Sequence, residues 1–140
     1  MIEHDCIFCR IVAGQSPSIP LYEDELTKAF MDINPVACGH ALVISKLHAE
    51  TILDIPAPVL AAVGATAQRI ARAVDTALHP DGISIVQSNG PGAAQSVSHF
   101  HMHVLPRSFY DDLPMNWRLT PGERKVIEEA ARTIRTALEI

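Results

Sequence analysis

Three histidines at alternate positions, His99, His101 and His103, and a cysteine pair, Cys6 and Cys9, are the residues whose types and spacing could do chemistry. Side chains on a β-strand alternate between faces, so the three imidazoles should share one face with neighbours roughly 7 Å apart, and Phe100, Met102 and Val104 should take the other. A buried imidazole needs partners for two ring nitrogens, which makes three in a row a costly way to pack a core. Three readings compete. The triplet could bind one metal, although three ligands from a single strand would strain a tetrahedron. It could be a solvated surface row. Or one neutral imidazole attacks phosphorus through one nitrogen while the other donates its hydrogen to a fixed acceptor, and the flanking imidazoles steady the phosphate oxygens and protonate the leaving group.

Cys6-Ile7-Phe8-Cys9 offers half of a tetrahedral zinc site, whose other ligands must come from elsewhere in the chain. A redox pair is the alternative, but that normally wants a thioredoxin-like βαβ setting; two ordinary reduced thiols are another. Cys38 is expected to be a buried bystander.

The elements that must position these residues carry their own signals. One helix is expected after Asp54 as a cap, with Pro56 and Pro58 in its opening turn and Val59, Val63, Ala67, Ile70, Val74 and Leu78 recurring at helical spacing. It should stop near His79-Pro80-Asp81-Gly82. A second opens at Thr120-Pro121-Gly122-Glu123, with Thr as cap and Glu completing a capping box, and should bury Val126, Ile127, Ala130, Ile134 and Leu138. Strand-like runs cover 21–23, 26–33, 39–46, 83–89 and 98–106. Three strands, a helix, two strands and a helix predict an α+β domain spanning 1–140, a largely antiparallel sheet with helices on one face. The small-residue loop Gly90–Ser96 leads into the histidines, a placement typical of ligand contacts.

A chain of 140 residues can bury roughly two-thirds of its unfolded surface as one domain. Its formal charge of −5, with scattered basic residues, argues against a nucleic-acid partner. Any phosphate must then be held by neutral donors. The segment Met1–Asp5 lacks a basic stretch followed by an apolar one, and no apolar run is long enough for a bilayer, so the expected setting is cytoplasmic, with no membrane partner.

The segment His99-Phe100-His101-Met102-His103-Val104-Leu105 resembles the histidine triad (HIT) pattern, His-φ-His-φ-His-φ-φ with φ apolar, at every position. Cys6–Ile11, Phe30–Pro35, Gly39–Ile44 and Gly92–Val97 resemble further family segments in family order, so the resemblance runs to about Arg107. It implies a HIT-like fold, with a five-stranded, mostly antiparallel sheet, two helices and a sheet extended across a homodimer.

The resemblance also implies a covalent nucleotidyl-histidine intermediate. His101 would be the nucleophile, the His99 carbonyl would fix its tautomer, His103 would lie near the α-phosphate and leaving group, and His40 would orient the set. Asp32 would accept from the ribose hydroxyls; taken alone it could simply begin a turn. Asn89, Gln95 and Ser96 would donate to phosphate oxygens or the bridging atom. In some relatives the cysteine pair joins a histidine after the third strand and the first triad histidine, which here implies structural zinc on Cys6, Cys9, His48 and His99, with His4 a possible substitute. No organic cofactor is implied. Ala94 stands where the family often holds glycine, bringing a methyl group near the backbone approach to phosphate.

The expected function is hydrolysis of a purine nucleoside monophosphate ester or phosphoramidate, releasing a nucleotide such as AMP or GMP. Alternatives are cleavage of dinucleoside polyphosphates, nucleotidyl transfer, and a nucleotide-binding or zinc-stabilised interaction module without turnover.

Overall fold

A computed structural model describes residues 5–138. Helix α1 spans Ile7–Val12, strands β1 to β3 span Pro20–Glu23, Thr27–Met31 and Ala41–Ser45, and α2 spans Ala57–Leu78. Strands β4 and β5 follow at Gly82–Val86 and His101–Arg107, and α3 closes the chain at Arg124–Leu138. The sheet is antiparallel throughout, in the order β1-β2-β3-β5-β4. Helix α2 carries the chain from β3 to the edge strand β4, and β5 returns between them, so the histidine strand is central.

Register decides which side chains share a face. Ile44 lies opposite His101, Leu42 opposite His103, and Val43 opposite Met102. Directly opposed residues point the same way. One face therefore carries Ala29, Ala41, Val43, Phe100 and Val104, which pack under Val59, Val63, Ala67, Ile70 and Val74 of α2. The other carries Phe30, Leu42 and Ile44, covered by Phe8 and Ile11 of α1. The two triad histidines of β5 stand on this second face.

Local chemistry differs from the sequence expectation at several points. Asp54 does not cap α2; its carboxylate accepts from the Glu50 and Thr51 amides and closes the preceding turn, while Pro56 occupies the N-cap. The helix ends as expected, with His79 in the left-handed conformation. The last helix starts at Arg124, leaving Thr120 and Pro121 outside, because Gly122 disfavours helix at the proposed first turn. Val126, Ile127, Ala130, Ile134 and Leu138 are exposed, not buried, since α3 has no buried residue. An amphipathic period says that one face suits burial and not against what. The helices also do not share a face, because α1, too short for periodicity to reveal, covers the side opposite α2. Cys38 is exposed, and His4 lies outside the described residues.

Gly39 delivers the chain into β3. Its φ is +94°, a conformation that favours glycine just before His40, and a Cβ there would push aside the tip of the Leu78 side chain.

Candidate active site and metal centre

The second face of the sheet gathers the polar residues. The β2–β3 ladder runs one pair beyond the strands, with the Asp32 amide donating to the His40 carbonyl at 3.0 Å, so Asp32 and His40 continue the row of Phe30 and Leu42. Asp32, His40, His101 and His103 line one cavity of about 620 Å³, together with Ser96 and an apolar wall that includes Phe8, Ile33 and Leu42.

Hydrogen bonds assign the tautomers. His101 Nδ1 lies 2.7 Å from the His99 carbonyl; a carbonyl only accepts, so the hydrogen is on Nδ1 and Nε2 keeps its lone pair. His40 Nδ1 accepts from the Val36 amide at 3.2 Å, so its Nε2–H donates to His103 Nδ1 at 2.9 Å. His103 then carries its hydrogen on Nε2. One ring of the cavity thus offers a lone pair and its neighbour a donor, with ring centroids 5.0 Å apart. The Phe8 ring stands edge-on to His101 at 5.1 Å and fixes its plane.

Burial lowers the pKa of His40 and His101, opposed by the Asp32 carboxylate in both and by the His99 carbonyl bond in His101. Burial, then the neighbouring His101 and His40, pushes His103 down to about 4. All three rings are therefore neutral near neutral pH, as a lone-pair nucleophile requires. For a histidine whose folded pKa lies below its unfolded value of 6.5, the unfolded chain takes the proton first, so the contribution of His103 to stability is intact above that pH and is lost as the pH falls towards 4. In an NMR titration of the folded protein its ring protons should turn over near pH 4; a midpoint at 6.5 would contradict the assigned environment.

Asp32 begins a turn and also borders the cavity. Its Oδ1 accepts from the Asn34 amide at 2.8 Å and begins the turn, while Oδ2 lies 3.3 Å from His40 Nε2 at the cavity. Asn89 and Gln95 are placed differently from Ser96. The Asn89 amide bonds Gln87 and the Ile52 N–H, and Gln95 joins the Gly90 N–H to the Glu50 carbonyl. Neither lines the cavity; they hold the loop that presents Ser96. Ala94 in that loop has φ of +58°, a conformation glycine adopts without cost.

At the other end of the same face, Cys6, Cys9, His48 and His99 bring four ligand atoms within 4.8 Å of one another. His99 Nδ1 lies 3.3 Å from Cys6 Sγ, 3.5 Å from Cys9 Sγ and 3.2 Å from His48 Nδ1, and Cys9 Sγ lies 3.2 Å from His48 Nδ1. Tetrahedral zinc on two thiolates and two imidazoles has ligand–ligand edges of about 3.3–3.8 Å, so the set matches the size of that ion. The tautomer matches too: His99 Nε2–H donates to the Ser45 carbonyl at 2.6 Å, which leaves Nδ1 free to ligate. Burial pushes His99 down to about 4, so its ring is neutral. Cys6 also caps α1, its Sγ accepting from the Cys9 amide at 3.3 Å.

Sequence reasoning missed the groups that orient these rings. The Val36 amide and the Ser45 carbonyl are main-chain atoms without a residue-type signal; Phe8, inside the cysteine motif, could have been suspected from its position.

A HIT-domain family model matches residues 13–110. The chain is 35% identical over 133 residues to an adenylylsulfatase of Arabidopsis thaliana, covering 95% of this chain and 68% of that protein. It is 40% identical over 102 residues to an adenosine 5'-monophosphoramidase of Saccharomyces cerevisiae, covering 73% and 62%. A zinc-bound histidine triad family protein from Mycobacterium smegmatis superposes with a TM-score of 0.74 at 39% identity, over 95% of this chain and 97% of that one. No helix among the described residues is long and apolar enough to cross a membrane.

Proposed function

Since the chain belongs to the HIT-domain family, we propose that it hydrolyses purine nucleoside monophosphate esters or phosphoramidates, releasing a nucleotide such as AMP, with His101 as nucleophile. The observation that carries this reading is the 2.7 Å contact between His101 Nδ1 and the His99 carbonyl, which leaves the Nε2 lone pair available in a cavity of nucleotide size. In the first step Nε2 forms a bond to the α-phosphorus, the bond from phosphorus to the leaving nitrogen or oxygen breaks, and the leaving atom takes up a proton. The positive charge developing on the ring is shared through Nδ1–H with the His99 carbonyl. His103 Nε2–H donates to the phosphate oxygens and to the leaving atom, with His40 holding its other nitrogen. Water then attacks phosphorus and releases a proton that replaces the one taken up by the leaving atom, the bond to Nε2 breaks, AMP departs and His101 is regenerated.

The apolar wall suits a purine ring and Asp32 the ribose hydroxyls. Ser96 is the direct phosphate donor, while Asn89 and Gln95 support it through the loop. Replacing Asp32→Asn keeps the turn acceptor and removes the charge. This should raise KM for an adenosine substrate about tenfold and erase discrimination against the 2'-deoxy form, with kcat much less affected; an unchanged KM would remove Asp32 from the ribose site.

The adenylylsulfatase relative supports a second reading on the same chemistry, with sulfate as the leaving group from an adenylyl sulfate. AMP release from an adenosine phosphoramidate, an adenylyl sulfate and a diadenosine polyphosphate, compared by kcat/KM, decides among them. Selective cleavage of the phosphoramidate supports the main reading; AMP binding without release from any of the three overturns it in favour of a non-catalytic module.

Zinc on Cys6, Cys9, His48 and His99 would supply structural closure, with no open position for substrate or water. The uncovered stripe of α3, including Val126, Ile127 and Ile134 at 57–60% exposure, supports a homodimer. Light scattering should give twice the chain mass, and a monomer would overturn this.

A further inference from the structure

The cysteine–histidine centre and the cavity are joined by one peptide group. The carbonyl of His99 accepts from His101 Nδ1–H at 2.7 Å, and the amide of Phe100, the other half of the same rigid plane, donates to the Ala49 carbonyl at 2.7 Å. Both attachments of this plane adjoin a ligand of the centre: His99 carries one ligand on its own ring, and Ala49 follows His48 directly. His99 is fully buried, and its remaining ring nitrogen is tied to Ser45 at 2.6 Å, so a shift of its ring is passed on to its own main chain. Phe8, between the two cysteines, touches the rings of both His99 and His101.

We infer that metal occupancy of Cys6, Cys9, His48 and His99 sets the tautomer of His101 through the 99–100 peptide group, which makes His99 a positioning residue for the nucleophile as well as a ligand. This rests on His101 being the nucleophile. A bound ion fixes His99 Nδ1 and His48 Nδ1 relative to each other, and with them the two anchors of the plane. Without it, the Cys6–His99, Cys9–His48 and His48–His99 contacts are no more than hydrogen-bond-length approaches, which fix relative position less firmly than coordination bonds, and the plane has more freedom to turn. A carbonyl turned away from His101 no longer selects Nδ1–H, so part of the population carries its hydrogen on Nε2, where no lone pair is available for attack. Two thiolates and two neutral imidazoles around a dication sum to no net charge, so the coupling acts through position and not through a field on the phosphate.

The test reads the tautomer directly. Full-length protein labelled with nitrogen-15 at histidine is examined by long-range proton–nitrogen NMR with one equivalent of zinc, after removal of metal by a chelator, and after zinc is restored. The His101 signals are assigned by their loss in His101→Ala. With zinc, His101 should show a single Nδ1–H tautomer; without it, an Nε2–H fraction should appear, kcat should fall about tenfold with AMP affinity unchanged, and zinc should reverse both effects. A folded, metal-free protein that keeps pure Nδ1–H overturns the inference, as does a parallel loss of kcat and AMP affinity. If metal removal unfolds the chain, Cys6→Ser serves instead, because serine preserves an N-cap acceptor for α1 while weakening the metal site. An unchanged His101 tautomer in that variant at low zinc occupancy is likewise contradictory. The two readings fail separately: zinc-dependent tautomerism in a protein that cleaves nothing refutes the hydrolase reading and leaves the coupling, whereas turnover with a zinc-independent tautomer does the reverse.

Discussion

His101→Ala should lower kcat for AMP release roughly ten-thousand-fold while AMP still binds, since the substitution removes the one cavity-lining ring among the described residues with an unengaged lone pair. The neighbouring rings cannot take over. His40 uses Nδ1 to accept from Val36 and Nε2 to reach His103, and His103 uses Nδ1 to accept that bond, so neither offers a free lone pair at the phosphate. His103→Ala should be milder, about a hundredfold, because it removes a hydrogen-bond donor and leaves the nucleophile in place. Steady-state rates on the two variants, with AMP binding measured by calorimetry, check the ordering. Equal losses in both would mean that the roles of His101 and His103 are not distinct.

The largest expected effect on stability lies on the reverse face of the same segment. Phe100→Ala should destabilise the protein by about 3–5 kcal/mol and lower Tm by roughly 10–15 °C. Phe100 is fully buried beneath α2 in the larger core, so truncation leaves a cavity with little room to collapse. Its amide bond to Ala49 is main chain and survives the substitution. Thermal unfolding measures the loss; a Tm within a few degrees of the parent would mean that Phe100 is not a core residue and that the alternation is misassigned.

That alternation was the most legible feature of the sequence. A strand has a strict period of two, so His-Phe-His-Met-His-Val already separates a polar face from an apolar one, and the β3–β5 register places His101 and His103 as the alternation requires. The stripe of α2 was legible for the same reason, with Val59, Val63, Ala67, Ile70 and Val74 buried along one side. Helix α1 was not, because six residues are too few to show a period, and its cap is a cysteine sulfur and not one of the usual capping oxygens. The stripe of α3 was visible but its burial was not, since periodicity does not name a partner. Residue type alone also left two roles open for some side chains. Asn89 and Gln95 have the amides a phosphate would need, yet those amides hold the loop together, and only the structure shows where they point. Asp32 could be read as a turn residue or a ligand residue; its Oδ1 begins the turn and its Oδ2 stands beside His40 at the cavity.

The most direct test of His101 as nucleophile is to trap the intermediate. An adenosine phosphoramidate is mixed with the enzyme, the reaction is quenched within one turnover in alkali, where phosphorus–nitrogen bonds to histidine survive, and the protein is analysed by intact mass and peptide mapping. A mass gain of one adenylyl group, located on His101 and lacking in His101→Ala, is the expected result. AMP release with no adduct at any time, or an adduct on another residue, would contradict covalent catalysis by His101.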